Sequence, residues 1–299
     1  EGHVISLDLG VEQITVLTCD LRGTHCRLCQ YPNNAAGREI ISLLKAILRQ
    51  TIEGLPPVKC GIAGISIGIH GVVHQNRAVF TPYYSLEGLD LATALEAEFQ
   101  IPVYLENEAN LSVLGERAFY FDYPDMVNIS VHSGVGLGIL IDDQLYVGKN
   151  GYAGEFGHTI IEPGGRPCPC GNRGCIEQYV SERAVLREIS EANGHRISLD
   201  QFISLYTEKD ADALRIMDEF VRYMAAGINN ILNIFNPDAI ILNSSFTIYL
   251  PDIIGLLEKS LKNRMDKFCT LLPSGLQDTA ILLGGASVVL KNFFGIHKL

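Results

Sequence analysis

The chain has 299 residues, 47% of them apolar, with 34 acidic against 23 basic side chains and a net charge of −11. That length and apolar content support one large α/β domain or two smaller ones with buried cores, and no apolar run reaches membrane-spanning length. A surface this acidic, with no basic cluster to offset it, argues against direct nucleic-acid binding by this chain alone. Eight cysteines without a secretory signal pattern are not a disulfide scaffold and point to a reducing cytoplasm.

The sequence starts at Glu1 rather than Met, which is expected of a trimmed or partial chain with something missing ahead of it. Residues 3–8, 11–20 and 24–31 read as a three-stranded meander with turns at Gly10 and Gly23. Residues 37–51 have helical apolar spacing through Ile40, Ile41, Leu44, Ile47 and Leu48. A glycine-rich buried-type strand is expected at 61–67, an amphipathic helix at 88–99, a strand at 102–106 and a helix from Glu108 onward. Residues 125–148 then restart the pattern as strand, glycine turn, strand, Asp-Asp turn, strand, which suggests two related halves. Helices are expected at 181–193, 198–206, 209–235 and 251–264, strands at 238–243 and 279–283, and a last helix at 285–295. The domain boundary is placed near residue 107. It gives a smaller α/β domain of residues 1–107, to which the C-terminal helix 285–299 returns, and a larger one of 108–284.

Residues 154–177 carry the strongest chemical signal. Cys168, Cys170 and Cys175 follow a C-x-C-x4-C spacing among glycines, with His158 ten residues upstream. These are the ligand types and the loop flexibility of a tetrahedral zinc site over 158–175. Four protein ligands leave no open position, so such a metal is structural. The alternative is a cluster of reduced cysteines beside an unrelated histidine. Cys19, Cys26, Cys29, Cys60 and Cys269 lie in or beside apolar stretches and read as packing residues, despite the C-x-x-C spacing of Cys26 and Cys29.

Three further stretches have two readings each. Asp8-Leu9-Gly10 can face a metal-phosphate ligand or simply make a hairpin. Ser133-Gly134-Val135-Gly136 can bring backbone N–H groups close to phosphate oxygens or serve as an ordinary glycine turn. Asn107 and Glu108 stand where a strand ends and a helix begins. There they can meet sugar hydroxyls or cap the helix and complement its dipole. Glu155 and Glu177, held in the glycine-rich loop, suit bidentate capture of vicinal sugar hydroxyls, and His158 can join them through its second ring nitrogen.

Together these motifs resemble the ROK family of bacterial sugar-responsive repressors and sugar kinases. The resemblance covers essentially the whole chain. Its most specific part is G-x-x-G-E-x-G-H followed by C-x-C-G-x-x-G-C-x-E, filled at every position from Gly151 to Glu177. It implies an actin-like (ribonuclease H-like) ATPase fold of two α/β domains with a sugar in the cleft. It also implies structural Zn²⁺ on His158, Cys168, Cys170 and Cys175, and sugar contacts from Asn107, Glu108, Glu155, His158 and Glu177, with Gly71 on the same side.

Departures from the kinase pattern decide between the branches. The kinase start D-x-G-G-T-K is Asp8-Leu9-Gly10-Val11-Glu12-Gln13 here, so Glu12 repels phosphates where Thr would serve them. The second phosphate turn, G-T-G, is His132-Ser133-Gly134, and the glycine pair beside adenosine is Asn243-Ser244-Ser245. The catalytic Asp of E-N-D-A-N is Glu108, whose extra methylene moves the carboxylate by about a bond length, enough to matter for in-line attack. On the sugar side G-x-P-G is Gly68-Ile69-His70-Gly71, and P-N is Pro82-Tyr83, with Tyr83 or Tyr84 available to stack on a sugar face. The chain most resembles the xylose-repressor-like branch, whose N-terminal winged helix-turn-helix it lacks.

The resemblance therefore implies an effector and dimerisation domain of a regulator of carbohydrate metabolism. Its effector is a monosaccharide or phosphosugar, it forms a homodimer or higher homo-oligomer, and it meets DNA only through a domain absent from this chain. ATP and Mg²⁺ are not expected as cofactors. The alternatives are an ATP-dependent sugar kinase of the hexokinase or glucokinase type with Glu108 as general base, and a ligand-free dimer scaffold.

Overall fold

In a computed structural model of the protein, which describes residues 1–261 and 269–296, the opening meander forms β1 (His3–Leu9), β2 (Gln13–Asp20) and β3 (Arg27–Pro32), each antiparallel to the next. After α1 (Arg38–Glu53), β4 (Ile62–Ile69) runs parallel beside β1. A short hairpin of β5 (Val72–His74) and β6 (Arg77–Phe80) and helix α2 (Leu91–Phe99) lead to β7 (Val103–Asn107), parallel to β4. The sheet order is β3-β2-β1-β4-β7. α3 (Glu108–Phe119) follows β7 with no loop between them.

The second half repeats the design. β8 (Met126–Val131) pairs antiparallel with β9 (Val135–Ile141), and β10 (Gln144–Leu145) edges the sheet. Four helices follow: α4 (Glu177–Val180), α5 (Glu182–Asn193), α6 (Leu199–Thr207) and α7 (Ala211–Phe235). β11 (Ala239–Ser244) then lies parallel beside β8. α8 (Ser245–Tyr249) and α9 (Asp252–Ser260) precede β12 (Thr270–Pro273), which is parallel to β11, and α10 (Ala280–Phe294) ends the described chain. The order β10-β9-β8-β11-β12 matches the first sheet strand for strand. β1 and β8 occupy the same central place in their sheets. Their near-continuous apolar runs suit strands covered on both faces.

Helix faces follow from spacing. α1 buries Ile40, Leu44, Ile47 and Leu48 on the first sheet, each contributing about 1.5–3 kcal/mol by leaving water. α7 starts where Asp210 accepts from the backbone N–H groups of Asp212 and Ala213. It buries Met217, Phe220, Val221, Met224, Ile228 and Leu232. Leu214 stands off that stripe and is exposed.

The chain divides into two compact units. One comprises Glu1–Asp122, Leu145–Ala153 and the chain from Asp278 on; the other comprises Tyr123–Gln144 and Gly154–Gln277. The boundary thus falls after α3 rather than at residue 107. α3 packs along α10, and α10 lies against β1 and β4, so both helices stay with the first sheet. The expected strand at 279–283 is the first turn of α10. A short apolar run, Ala280–Leu283, does not by itself distinguish strand from helix. Packing decides it: a Cβ on Gly284 would strike the Leu111 carbonyl oxygen of α3, so the glycine lets the two helix backbones meet. The last strand of the second sheet is β12, which the sequence did not single out. The expected helix at 251–264 is α9, and residues 262–264 of that expectation lie outside the described residues. Among the described residues no helix is long and apolar enough to cross a membrane.

Candidate functional site

In the first unit, strand register gathers the site. Leu9 of β1 pairs with Ile69 of β4, and Ile69 pairs with Asn107 of β7. The C-terminal ends of three parallel strands therefore form one edge, where α/β sheets collect ligands. His70 Nε2 lies 2.9 Å from Asp8 Oδ1. Burial disfavours the imidazolium, but the carboxylates of Asp8 and Glu108 outweigh it and raise the His70 pKa to about 9. Asp8 is thus paired to a protein cation.

Asn107 resolves the two readings of its stretch. Its Oδ1 accepts from the N–H groups of Ala109 and Asn110, capping α3, while its Nδ2 donates to the Gly71 carbonyl (2.8 Å) and to Glu108 Oε2 (2.7 Å). Every hydrogen-bonding site of the amide is occupied. Asn107 therefore orients Glu108 and fixes Gly71, and a direct sugar contact requires exchanging one of these bonds. Tyr84 is buried and donates its hydroxyl hydrogen to the Leu9 carbonyl, so it is a core residue and not a stacking platform. Tyr83 is exposed.

In the second unit, residues 154–177 fold back on themselves. Gly154 (φ +92°) lies so close to β9 that a Cβ would strike the Leu137 carbonyl oxygen. A single 3-10 turn, Phe156–His158, follows. Backbone bonds Ile161 N–H to Gly174 O, Cys168 N–H to Asn172 O and Gly174 N–H to Arg166 O close the cysteine loop. His158, Cys168, Cys170 and Cys175 then offer four ligand atoms, all within 4.8 Å of one another. His158 Nδ1 is 3.6 Å from Cys168 Sγ, and Cys170 Sγ is 3.6 Å from Cys175 Sγ. Ligands on a tetrahedral zinc stand roughly 3.5–3.8 Å apart, given Zn–S of about 2.3 Å and Zn–N of about 2.0–2.1 Å. These four residues fit that metal. Burial holds the Cys175 thiol up at about 12, so metal binding there must displace thiol protons.

The expected sugar-contact residues of this unit lie beside this cluster. His158 Nε2 is 3.8 Å from Glu155 Oε2. Glu177 is buried and accepts from Gln178 Nε2 (3.2 Å) and Arg183 Nη2 (3.3 Å). Burial raises the Glu155 pKa; His158 opposes this and the Glu177 carboxylate adds to it. The expected trio Glu155, His158 and Glu177 is therefore assembled, whereas Asn107, Glu108 and Gly71 belong to the first unit. Glu177 Oε2 also lies 3.0 Å from where a Cβ on Gly134 would stand, which puts a carboxylate against the expected phosphate turn. Ser244, at the expected adenosine position, caps α8 through the Phe246 N–H.

His70, in the sequence a departure from G-x-P-G, is the partner of Asp8. Gln178 and Arg183 hold Glu177, and their one sequence signal is proximity to it. Cys26, Cys29 and Cys60 are exposed rather than packed. For Cys29 the reason is that β3 is an edge strand with hardly any buried side chain.

The sequence profile of the ROK family matches residues 4–292, and the chain belongs to that family. The xylose repressor of Bacillus spizizenii is 33% identical over 306 residues, spanning 100% of this chain and 79% of the repressor. The glucokinase of Halalkalibacterium halodurans is 28% identical over 259 residues, 80% of this chain and 78% of that enzyme. A ROK family glucokinase from Streptomyces griseus, solved with glucose and AMPPNP, shares the fold at TM-score 0.84 and 26% identity, covering 96% of this chain and 99% of the kinase. A ROK family transcriptional regulator, a homologue of E. coli MLC, matches at TM-score 0.84 and 23% identity, covering 98% of this chain and 78% of the regulator; this last likeness is one of fold. The duplicated α/β architecture is thus the actin-like fold that the motifs implied.

Proposed function

We propose that the chain is the sugar-sensing effector and dimerisation part of a ROK-family regulator of carbohydrate metabolism. The observation that carries this is the assembly of Glu155, His158 and Glu177 on a loop pinned by a Cys/His cluster. Carboxylates held in this way accept hydrogen bonds from neighbouring sugar hydroxyls. In the first unit, Glu108, oriented by Asn107 and with Gly71 fixed beside it, offers a further carboxylate to sugar hydroxyls. Zn²⁺ on His158, Cys168, Cys170 and Cys175 is structural: it sets the loop and leaves no open coordination position. Similarity to xylose repressors along the whole chain supports the regulator over the kinase, as do the Asp8–His70 pair and the side chains that replace glycine at 244–245.

The effector is a monosaccharide or phosphosugar. It acts by differential affinity for two arrangements of a homodimer or higher homo-oligomer. The acidic chain leaves DNA contacts to a part of the protein beyond these residues, and the setting is the cytoplasm, where thiols stay reduced. Calorimetric titration with a panel of monosaccharides and phosphosugars tests the proposal. One sugar should bind, and Glu155→Gln and Glu108→Gln should each abolish its binding while leaving the melting temperature nearly unchanged. No binding by any sugar favours a dimer scaffold with a decayed site.

A further inference from the structure

Arg166 belongs to the cysteine loop yet has its strongest contacts outside it. Its Nη2 bridges Glu188 Oε2 on α5 and Glu219 Oε1 on α7, each at 2.8 Å. Its Nη1 donates to the Gln178 carbonyl at 2.9 Å. The guanidinium also lies 4.5 Å from the centroid of the Tyr179 ring, and the Arg166 N–H donates to the Tyr179 hydroxyl oxygen at 2.8 Å. Gln178 then branches: its Nε2 donates to Cys168 Sγ (3.7 Å) and to Glu177 Oε1 (3.2 Å). A continuous path of hydrogen bonds thus runs from α5 and α7 through Arg166 and Gln178 to one cysteine of the cluster and to the Glu177 carboxylate. The far end is anchored as well, because Arg215 Nη1 holds Glu188 Oε1 at 2.8 Å.

We infer that Arg166 is the positioning residue that registers the metal loop and Glu177 against α5 and α7. Its planar fork meets two carboxylates and a carbonyl while its face rests on an aromatic ring, a combination that the ammonium of lysine does not reproduce. This rests on the zinc role proposed above, and the test separates the two.

Wild type, Arg166→Lys, Arg166→Gln and Glu219→Gln are compared in three measurements. In the first, Co²⁺ replaces zinc and its visible spectrum is recorded; in the second, zinc transfer to a chromogenic chelator is timed. The third follows amide hydrogen exchange over 162–180 beside the global denaturation midpoint. Arg166→Lys should shift the Co²⁺ bands, weaken metal affinity by roughly 10–100-fold, as for other residues that orient metal ligands, and so speed zinc release, and accelerate exchange in the loop, with the global midpoint nearly unmoved. Glu219→Gln should do the same more weakly. If Arg166→Lys leaves the spectrum, the release rate and loop exchange at wild-type values, the inference is overturned. If wild type takes up neither Co²⁺ nor Zn²⁺, the zinc reading fails on its own, and loop exchange still decides the role of Arg166.

Discussion

His70 Nε2 stands 2.9 Å from Asp8 Oδ1, joining the end of β4 to the end of β1. The carboxylate that a phosphate-binding hairpin would offer to a metal is here the counter-ion of an imidazolium. His70 titrates at about 9 against 6.5 for the free side chain, so its folded pKa is raised. The stabilisation is complete below about pH 6.5 and is lost as pH rises through about 9. Its size is on the order of 1–3 kcal/mol, discounted for partial exposure. Urea denaturation at pH 6.5 and pH 9.5 should show that loss in the wild type, and His70→Gln should flatten it.

Asn107 caps α3 and donates to both Gly71 and Glu108. Asn107→Ala should therefore cost about 1–2 kcal/mol, the upper part of the cap range. It should also weaken sugar binding by releasing Glu108. Asn107→Asp keeps the capping oxygen but sets a carboxylate oxygen against the Gly71 carbonyl and Glu108, so calorimetric affinity should not recover.

Two helical glycines should respond in opposite senses. A Cβ on Gly284 would strike the Leu111 carbonyl oxygen, whereas one on Gly255 of α9 meets nothing within 4 Å. Gly284→Ala should destabilise by about 1–3 kcal/mol or more through overpacking. Gly255→Ala should stabilise by about 0.5–1 kcal/mol through helix propensity. Denaturation midpoints decide both.

These contrasts show what was legible in the sequence. The paired halves were readable because turn glycines and strand-type runs recur in the same order, and the two sheets share one strand order. The Cys/His cluster was readable because ligand spacing is a local property. The strand read at 279–283 was not, because its helical state comes from packing on α3, which lies far away in sequence. The same holds for the Asp8–His70 pair, separated by 62 positions: parallel strand register makes it, and no local pattern announces it. Asn107 was legible in type but not in role, since a cap and a sugar contact call for the same amide.

The cluster of His158, Cys168, Cys170 and Cys175 should hold about one zinc per chain, counted by metal analysis of protein purified under reducing conditions. Cys175→Ser should lose it and fall by ~2–3 kcal/mol, roughly 5–10 °C in melting temperature for a unit of this size. Full folding with no metal would refute the site.

On the proposed function, this chain senses a sugar without phosphorylating it. The most direct measurement is a coupled assay of ADP release with Mg·ATP and the sugar that calorimetry shows to bind, at saturating concentration. The expected result is saturable sugar binding with ADP release no faster than in the absence of sugar. Sustained, sugar-dependent ADP release that disappears in Glu108→Gln would contradict the claim and make the chain a kinase.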